Sequence, residues 1–331
     1  MEAIVLAGGL GTRLRPLTYS RPKPLLPIVN KPMVDWVLAS LPPAVKKVVI
    51  PVNYLSELVE AHFDEHPDPR VELVDEPAPM GTGGAIKRVE KHFTGPFFVY
   101  NADIISSNDL DGMRKFHAAR KAKATISLWR VEDPWHYGVV KFNGQARIEE
   151  FVEKPEPGKE PSNLINAGHY LLDLDVLDDI PKNKFVSLER EIFTPMATAK
   201  GGRLFGYEFQ GHWIDCGRPE SYLEAHRLTL RAQGVARAEG EDVSGLKGAR
   251  FESYAVGDRV ELGAGAVVQR SVVLADARIG AHAVLRDCVI GEGADIEAGA
   301  QLDRVVVGDY AVVQGNVNIK DRRIGMRPGD E

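Results

Sequence analysis

Apolar residues along the first 230 positions fall into two alternating patterns. Short unbroken runs, as in Glu2–Ala7, Lys46–Val52, Val71–Val74 and Phe97–Tyr100, predict buried strands. Between them, Met33–Leu41, Tyr54–Glu65, Gly83–His92 and Leu110–Arg120 space their apolar residues at helical intervals. This alternation predicts an α/β fold: a Rossmann-like, mostly parallel sheet with helices on both faces. Ligands of such sheets bind at the carboxyl ends of the strands. From residue 255 the pattern changes to a repeat. Val256, Val273, Ile290 and Val307 keep one register, as do Leu262, Ile279, Ile296 and Val313, and Val268, Leu285, Leu302 and Ile319. Each series advances by 17 residues, with glycines (Gly257, Gly263, Gly280, Gly291, Gly308) and alanines (Ala266, Ala277, Ala283, Ala294, Ala300, Ala311) at fixed offsets. Three apolar corners per turn over four turns predict a triangular coil of parallel strands with large aliphatics inside.

The coil pattern resembles the hexapeptide-repeat left-handed β-helix. The expected organisation is a first domain over 1–232, a polar, Gly/Ala-rich linker over 233–254, the β-helix over 255–320 and a tail over 321–331. The first domain is long enough for an independent core, so a cut near Gly240 is expected to leave its motifs working. The coil carries no convincing catalytic constellation and reads as an assembly module, because open coil ends expose strand edges.

Composition narrows the function. The 331 residues are 44% hydrophobic and 27% charged, as in ordinary globular proteins. With 41 basic and 47 acidic residues the net charge is −6, and no basic stripe marks a nucleic-acid binder. No apolar run reaches the ~20 residues of a membrane span. Two cysteines, Cys216 and Cys288, make no disulfide framework and suit a reducing cytoplasmic setting.

The first strand runs into Gly8-Gly9-Leu10-Gly11-Thr12-Arg13. The dinucleotide pattern G-x-G-x-x-G fails because Leu14 stands at its third glycine, and no Gly-Lys-Ser/Thr of a P-loop is present. Glycines still let backbone N–H groups surround an anion, and Arg13 and Lys23 add cations. On these residues alone, a phosphate cradle and a Gly-rich turn with a solvated arginine both remain open.

The longer string LAGGLGTRLRPLTYSRPKPLLPIVNKPM closely resembles the signature of the sugar-1-phosphate nucleotidyltransferases. Further landmarks follow in order: Asn101-Ala102-Asp103, Tyr137-Gly138-Val139-Val140, Phe151-Val152-Glu153-Lys154-Pro155, Asn166-Ala167-Gly168 and Trp213-Ile214-Asp215-Cys216-Gly217. The resemblance implies attack of a sugar-1-phosphate oxygen on the α-phosphorus of an NTP, with pyrophosphate leaving. It implies that Leu6, Gly8, Gly9, Gly11 and Thr12 hold the nucleotide, and that Gly81, Thr82 and Gly84 belong to the base-contacting loop. By the same resemblance Arg13 stabilises departing pyrophosphate, Lys23 binds near the α-phosphate and Lys154 holds the sugar phosphate. Glu153 takes hydrogen bonds from sugar hydroxyls, Gly138, Asn166 and Gly168 line the sugar pocket, and Asp103 adjoins it. Asp103 and Asp215 are the Mg²⁺ candidates, each closing an apolar strand-like run; Mg²⁺ prefers a few carboxylates plus phosphate oxygens.

Gly84 lacks a side chain where pyrimidine-selective relatives carry an amide, which leaves room for a purine, or merely for water. The resemblance therefore leans to GTP with mannose-1-phosphate. The alternatives are a glucose-1-phosphate uridylyl- or thymidylyltransferase, an added acyltransferase activity near His282, and a non-catalytic nucleotide-sugar-binding subunit. Expected partners are the two small substrates and further copies of the chain through the β-helix, with no nucleic acid and no membrane.

Overall fold

The computed structural model describes residues 1–327, so the last four positions of the expected tail lie outside it. The chain divides into two compact units that are not contiguous in sequence. One comprises Met1–Gly9 and Val37–Trp213; the other comprises Leu10–Trp36 and Ile214–Glu331.

The first unit is built on a nine-stranded sheet. Phe97–Asn101, Glu2–Leu6, Lys47–Val52 and Val71–Asp75 pair in that order, all parallel. The runs of Val, Ile and Phe in the first three are buried on both faces, as a helix-covered parallel sheet requires, whereas Val71–Asp75 is only partly buried. Beyond Phe97–Asn101 the sheet continues with antiparallel pairing: Leu164–Leu172 lies beside Phe97–Asn101, Ala124–Arg130 and Gly138–Phe142. Ile148–Glu153 closes that edge against Gly138–Phe142. Helices Ser56–Glu65, Gly81–Arg88 and Leu110–Arg120 connect the strands.

In the second unit the coil has the predicted form, a left-handed β-helix of three parallel sheets. Successive strands of each sheet pair one turn apart, Val256 on Val273, Leu262 on Ile279 and Val268 on Leu285. Eleven of the twelve repeat positions are buried, and Ile319 is half-buried. Gly265, Gly293 and Gly299 take some of the corners, but many are non-glycine residues in the left-handed region, among them Arg270 (φ 46°), Asp287 (52°), Arg304 (53°) and Asp321 (52°). That single column alternates in sign, and its pairs Arg270–Asp287 and Arg304–Asp321 are salt-bridged.

The expected linker differs. Ala238–Glu239 pairs with Ala255–Val256, and Arg250–Phe251–Glu252 pairs with Val267–Gln269, so coiling begins inside 233–254. It also runs past 320, since Arg323–Ile324 pairs with Val306–Val307. The polar composition of these end turns hid them: they have fewer apolar corners to bury.

The compact units cut across the expected first domain. The segment Leu10–Trp36 belongs with the coil, not with the sheet that precedes it in sequence. Asn30 Nδ2 donates to Val256 O (2.8 Å), Val29 N–H donates to His226 Nδ1 (3.1 Å), and Tyr222 donates to Pro27 O. Tyr222 and His226 lie on Pro219–Gln233, whose start is fixed by Pro219 and whose end is capped by Gly234.

Candidate active site

In the first unit the glycine loop leaves the carboxyl end of Glu2–Leu6. Leu6 holds its position through its carbonyl, which accepts from Ala102 N–H (3.1 Å). A side chain at Gly8 would meet Glu76: a Cβ there lies 2.9 Å from Glu76 Oε2. Gly9 is exposed, and a Cβ there would meet nothing within 4 Å. Glu76 is 4% exposed, and its Oε1 accepts from Met80 N–H (3.0 Å). Burial raises its carboxyl pKa above the ordinary range, and the bond from Met80 opposes that rise. The sequence reading missed Glu76; no motif marked it, and it reaches the loop through the tertiary approach of 76 to 8.

Met80 leads into Gly81–Arg88. Here Val186 O accepts from Gly83 N–H (2.9 Å), while Val186 N–H donates to Met80 O (2.9 Å). A Cβ on Gly84 would lie 2.7 Å from Lys184 O and 2.8 Å from Met80 Cβ. The space left by its missing side chain is therefore taken by protein, and the expectation that it makes room for a purine does not hold. Gly81 is crowded in the same way, with a Cβ 2.5 Å from Val186 O.

Thr82 opens a polar chain. Its hydroxyl donates to Glu189 Oε2 (2.8 Å) and accepts from Leu188 N–H (2.8 Å). Glu189 also accepts from Tyr170 OH (3.1 Å), which accepts from Asn166 Nδ2 (2.9 Å). Asn166 Oδ1 accepts from Gly168 N–H (2.9 Å). Thr82, Asn166 and Gly168, far apart in sequence, are thus joined through Glu189. That residue stands on a single π-helical stretch, Leu188–Phe193, a form frequent at functional sites.

Strand pairing aligns Glu153 with Gly138, and a Cβ on Gly138 would lie 2.7 Å from Glu153 Oε2. Burial raises the Glu153 pKa, with the Glu189 charge adding to the shift. Lys154 follows in the left-handed region (φ 52°), unusual for a side chain this long, with Nζ exposed and 4.0 Å from Glu153 Oε1. Gly168 is at φ 76°, where a Cβ would lie 2.8 Å from Asn101 Nδ2. Asp103 is half-buried just past Phe97–Asn101. Its charge acts on His169, which burial lowers to about 3 and so keeps neutral.

In the second unit Gly11 takes φ 60°, and a Cβ there would lie 2.9 Å from Thr18 Cγ2 and 3.3 Å from Lys23 Cβ. Thr18 donates to Gly11 O (2.9 Å), closing the turn from which Thr12–Leu14 rises. Thr12 and Arg13 are exposed and Lys23 is 8% exposed. Arg13 and Asp215 converge: a Cβ on Gly217 would lie 2.8 Å from Arg13 Nη2 and 2.7 Å from Asp215 Oδ1. Among the described residues no group of three or more His, Cys, Asp or Glu could cage a metal. His282, exposed at a left-handed corner, packs over Gly265.

A mostly parallel sheet with a glycine loop leaving one strand end, followed in sequence by a parallel β-helix, defines an α/β protein with a coiled C-terminal part. Residues 2–232 match the nucleotidyl transferase family and residues 251–327 match the GMPPB C-terminal domain. The chain belongs to the nucleotidyl transferase family and is a nucleotidyltransferase. It is 34% identical over 314 residues to the mannose-1-phosphate guanylyltransferase catalytic subunit beta of Danio rerio, covering 88% of this chain and 86% of that one. It is 35% identical to a mannose-1-phosphate guanylyltransferase of Mycobacterium tuberculosis, covering 88% of this chain and 80% of that one. A crystal structure of a putative glucose-1-phosphate thymidylyltransferase from Bacillus anthracis superposes with a TM-score of 0.61 at 26% identity. It covers 69% of this chain and 94% of that chain. No helix among the described residues is long and apolar enough to cross a membrane.

Proposed function

We propose that the chain transfers GMP from GTP to mannose-1-phosphate, giving GDP-mannose and pyrophosphate. The observation that carries this reading is that likeness to mannose-1-phosphate guanylyltransferases extends over 88% of the chain, through both the sheet and the coil. A phosphate oxygen of the sugar attacks the α-phosphorus, and the bond to the β-phosphate breaks. Two polyanions must meet and charge must be stabilised on the leaving group, which is a task of positioning and cations.

Gly8, Gly9, Gly11 and Thr12 offer backbone donors to the nucleotide. Arg13 acts on the leaving pyrophosphate, and Lys23, held by its buried loop, on the α-phosphate. We assign Glu76, whose carboxylate adjoins Gly8 and accepts from Met80 N–H, to guanine, which presents two adjacent donors, N1–H and the 2-amino group, to carboxylate oxygens. Thymine and uracil present one donor between two carbonyls, which a carboxylate repels. Glu153 accepts from sugar hydroxyls within the Gly138, Asn166 and Gly168 surroundings, and Lys154 pairs with the sugar phosphate.

Asp103 and Asp215 are carboxylates of the kind Mg²⁺ takes beside phosphate oxygens and water, and each is a candidate ligand within its own unit. A bound cation would neutralise developing charge on the phosphates. The likeness to a putative glucose-1-phosphate thymidylyltransferase favours the second reading, a glucose-1-phosphate enzyme using dTTP or UTP. The buried thiols Cys216 and Cys288 suit a reducing cytoplasm. Tyr310 and Val312, 67% and 53% exposed on the coil, suit self-association. A pyrophosphate-release screen of NTPs against sugar-1-phosphates tests the reaction, and light scattering of Val312→Glu tests assembly.

A further inference from the structure

We infer that the β-helix positions the phosphate-handling loop, and that Arg21 is the residue that latches the two. The inference rests on the reading that Arg13 and Lys23 act on the triphosphate. Arg21 stands two residues before Lys23 in Arg21-Pro22-Lys23-Pro24, where two prolines fix φ and carry the position of one residue to the next. Its guanidinium points away from that task, into the coil. Arg21 Nη2 donates to Glu292 Oε2 (2.6 Å) and to Asp309 Oδ2 (3.0 Å).

Glu292 and Asp309 occupy equivalent places on successive turns, 17 residues apart, and Asp309 Oδ1 accepts from Glu292 N–H (2.8 Å). Glu292 is further held by Tyr310, whose hydroxyl donates to its Oε1 (2.9 Å). The Arg21 side chain is 19% exposed and that of Asp309 only 3%, so solvent screens this pair little. Burial opposes the guanidinium charge, but the two carboxylates outweigh it and raise its pKa.

Arg21 does not act alone. Ser20 donates to Asp309, and Arg323 Nη1 donates to Arg15 O (3.1 Å). The Arg327 guanidinium lies over the Tyr19 ring at 4.5 Å, and Pro16 leaves no room for a side chain at Gly308, where a Cβ would lie 3.0 Å away. The stretch from Arg15 to Arg21 is thus fastened to the coil at several points, and Arg13 and Lys23 flank it in sequence. An assembly module needs no such contacts; a brace for the loop does. Arg21 is a positioning residue, and its carboxylate partners lie on the coil.

The test pairs Arg21→Met and Glu292→Gln/Asp309→Asn with Arg21→Lys, in the full-length protein. Initial rates should show the KM for NTP raised about tenfold and the KM for sugar-1-phosphate unchanged, since small misplacements of a phosphate-holding group cost this much or more. Arg21→Lys, which keeps the charge but not the fork, should recover part of the loss. Hydrogen exchange without substrate should speed up in 15–26 and stay unchanged in the sheet strands. Equal rises in both KM values, or unchanged exchange in 15–26, would overturn the latch. A wild-type protein that releases no pyrophosphate would instead overturn the functional reading, and the exchange result alone would then decide the latch.

Discussion

Glu76 and His169 show what single side chains contribute. Glu76→Gln replaces an acceptor-only group by an amide that also donates, so selection of guanine should weaken. The expected result is a loss of roughly ten- to hundredfold in kcat/KM for GTP with little loss for dTTP or UTP, as one hydrogen-bonded charge contributes about 1.5–3 kcal/mol. Competing-substrate assays measure it, and a uniform loss across all bases would contradict the role. His169 and His226 are wholly buried and lowered to about 3. Their folded pKa lies below the unfolded value, so their contribution is complete above pH ~6.5 and is lost as pH falls towards 3. Each should cost about 1.4 kcal/mol per pH unit over that window. Urea unfolding of His169→Gln at pH 7, 6, 5 and 4 should show a slope shallower by one proton. Arg13, Lys23, Glu153 and Lys154 could be proposed from the sequence because their motifs are contiguous. Glu76 and Glu189 were not, because they reach their partners from distant positions, and Gly84 was misread because its neighbours Lys184 and Val186 come from a hundred residues on.

Elements obey their periodicity where burial is uniform. The 17-residue register of the coil could be read directly, since each corner residue must fill the same interior. Ile296→Asp places a charge at a fully buried corner and should destabilise the coil by several kcal/mol. Thermal unfolding followed by circular dichroism measures this; an unchanged melting temperature would contradict the packing. The end turns in 233–254 escaped notice because solvent or the chain end relaxes the apolar requirement. The π-helical stretch Leu188–Phe193 has no sequence signature either, yet it aims Glu189 at Thr82 and Tyr170. Glu189→Gln keeps the shape and halves the acceptor capacity, so the KM for sugar-1-phosphate should rise about threefold to thirtyfold, in line with one or two weakened bonds.

For the whole molecule, the division of labour between the two units is the main departure from the sequence reading. A cut near Gly240 looked harmless when the motifs were counted along the chain. The signature segment Leu10–Trp36 packs with the coil, so a chain ending at Gly240 should lose most of its NTP use. Asp103→Asn and Asp215→Asn should each lower kcat by roughly 10²-fold or more, since metal stabilisation of transition-state charge contributes several kcal/mol. Activity in excess EDTA should vanish and return with Mg²⁺. The most direct test of the account is pyrophosphate release measured for GTP, ATP, CTP, UTP and dTTP against mannose-, glucose- and other sugar-1-phosphates. The account predicts the highest kcat/KM for GTP with mannose-1-phosphate; preference for dTTP or UTP with glucose-1-phosphate would contradict it.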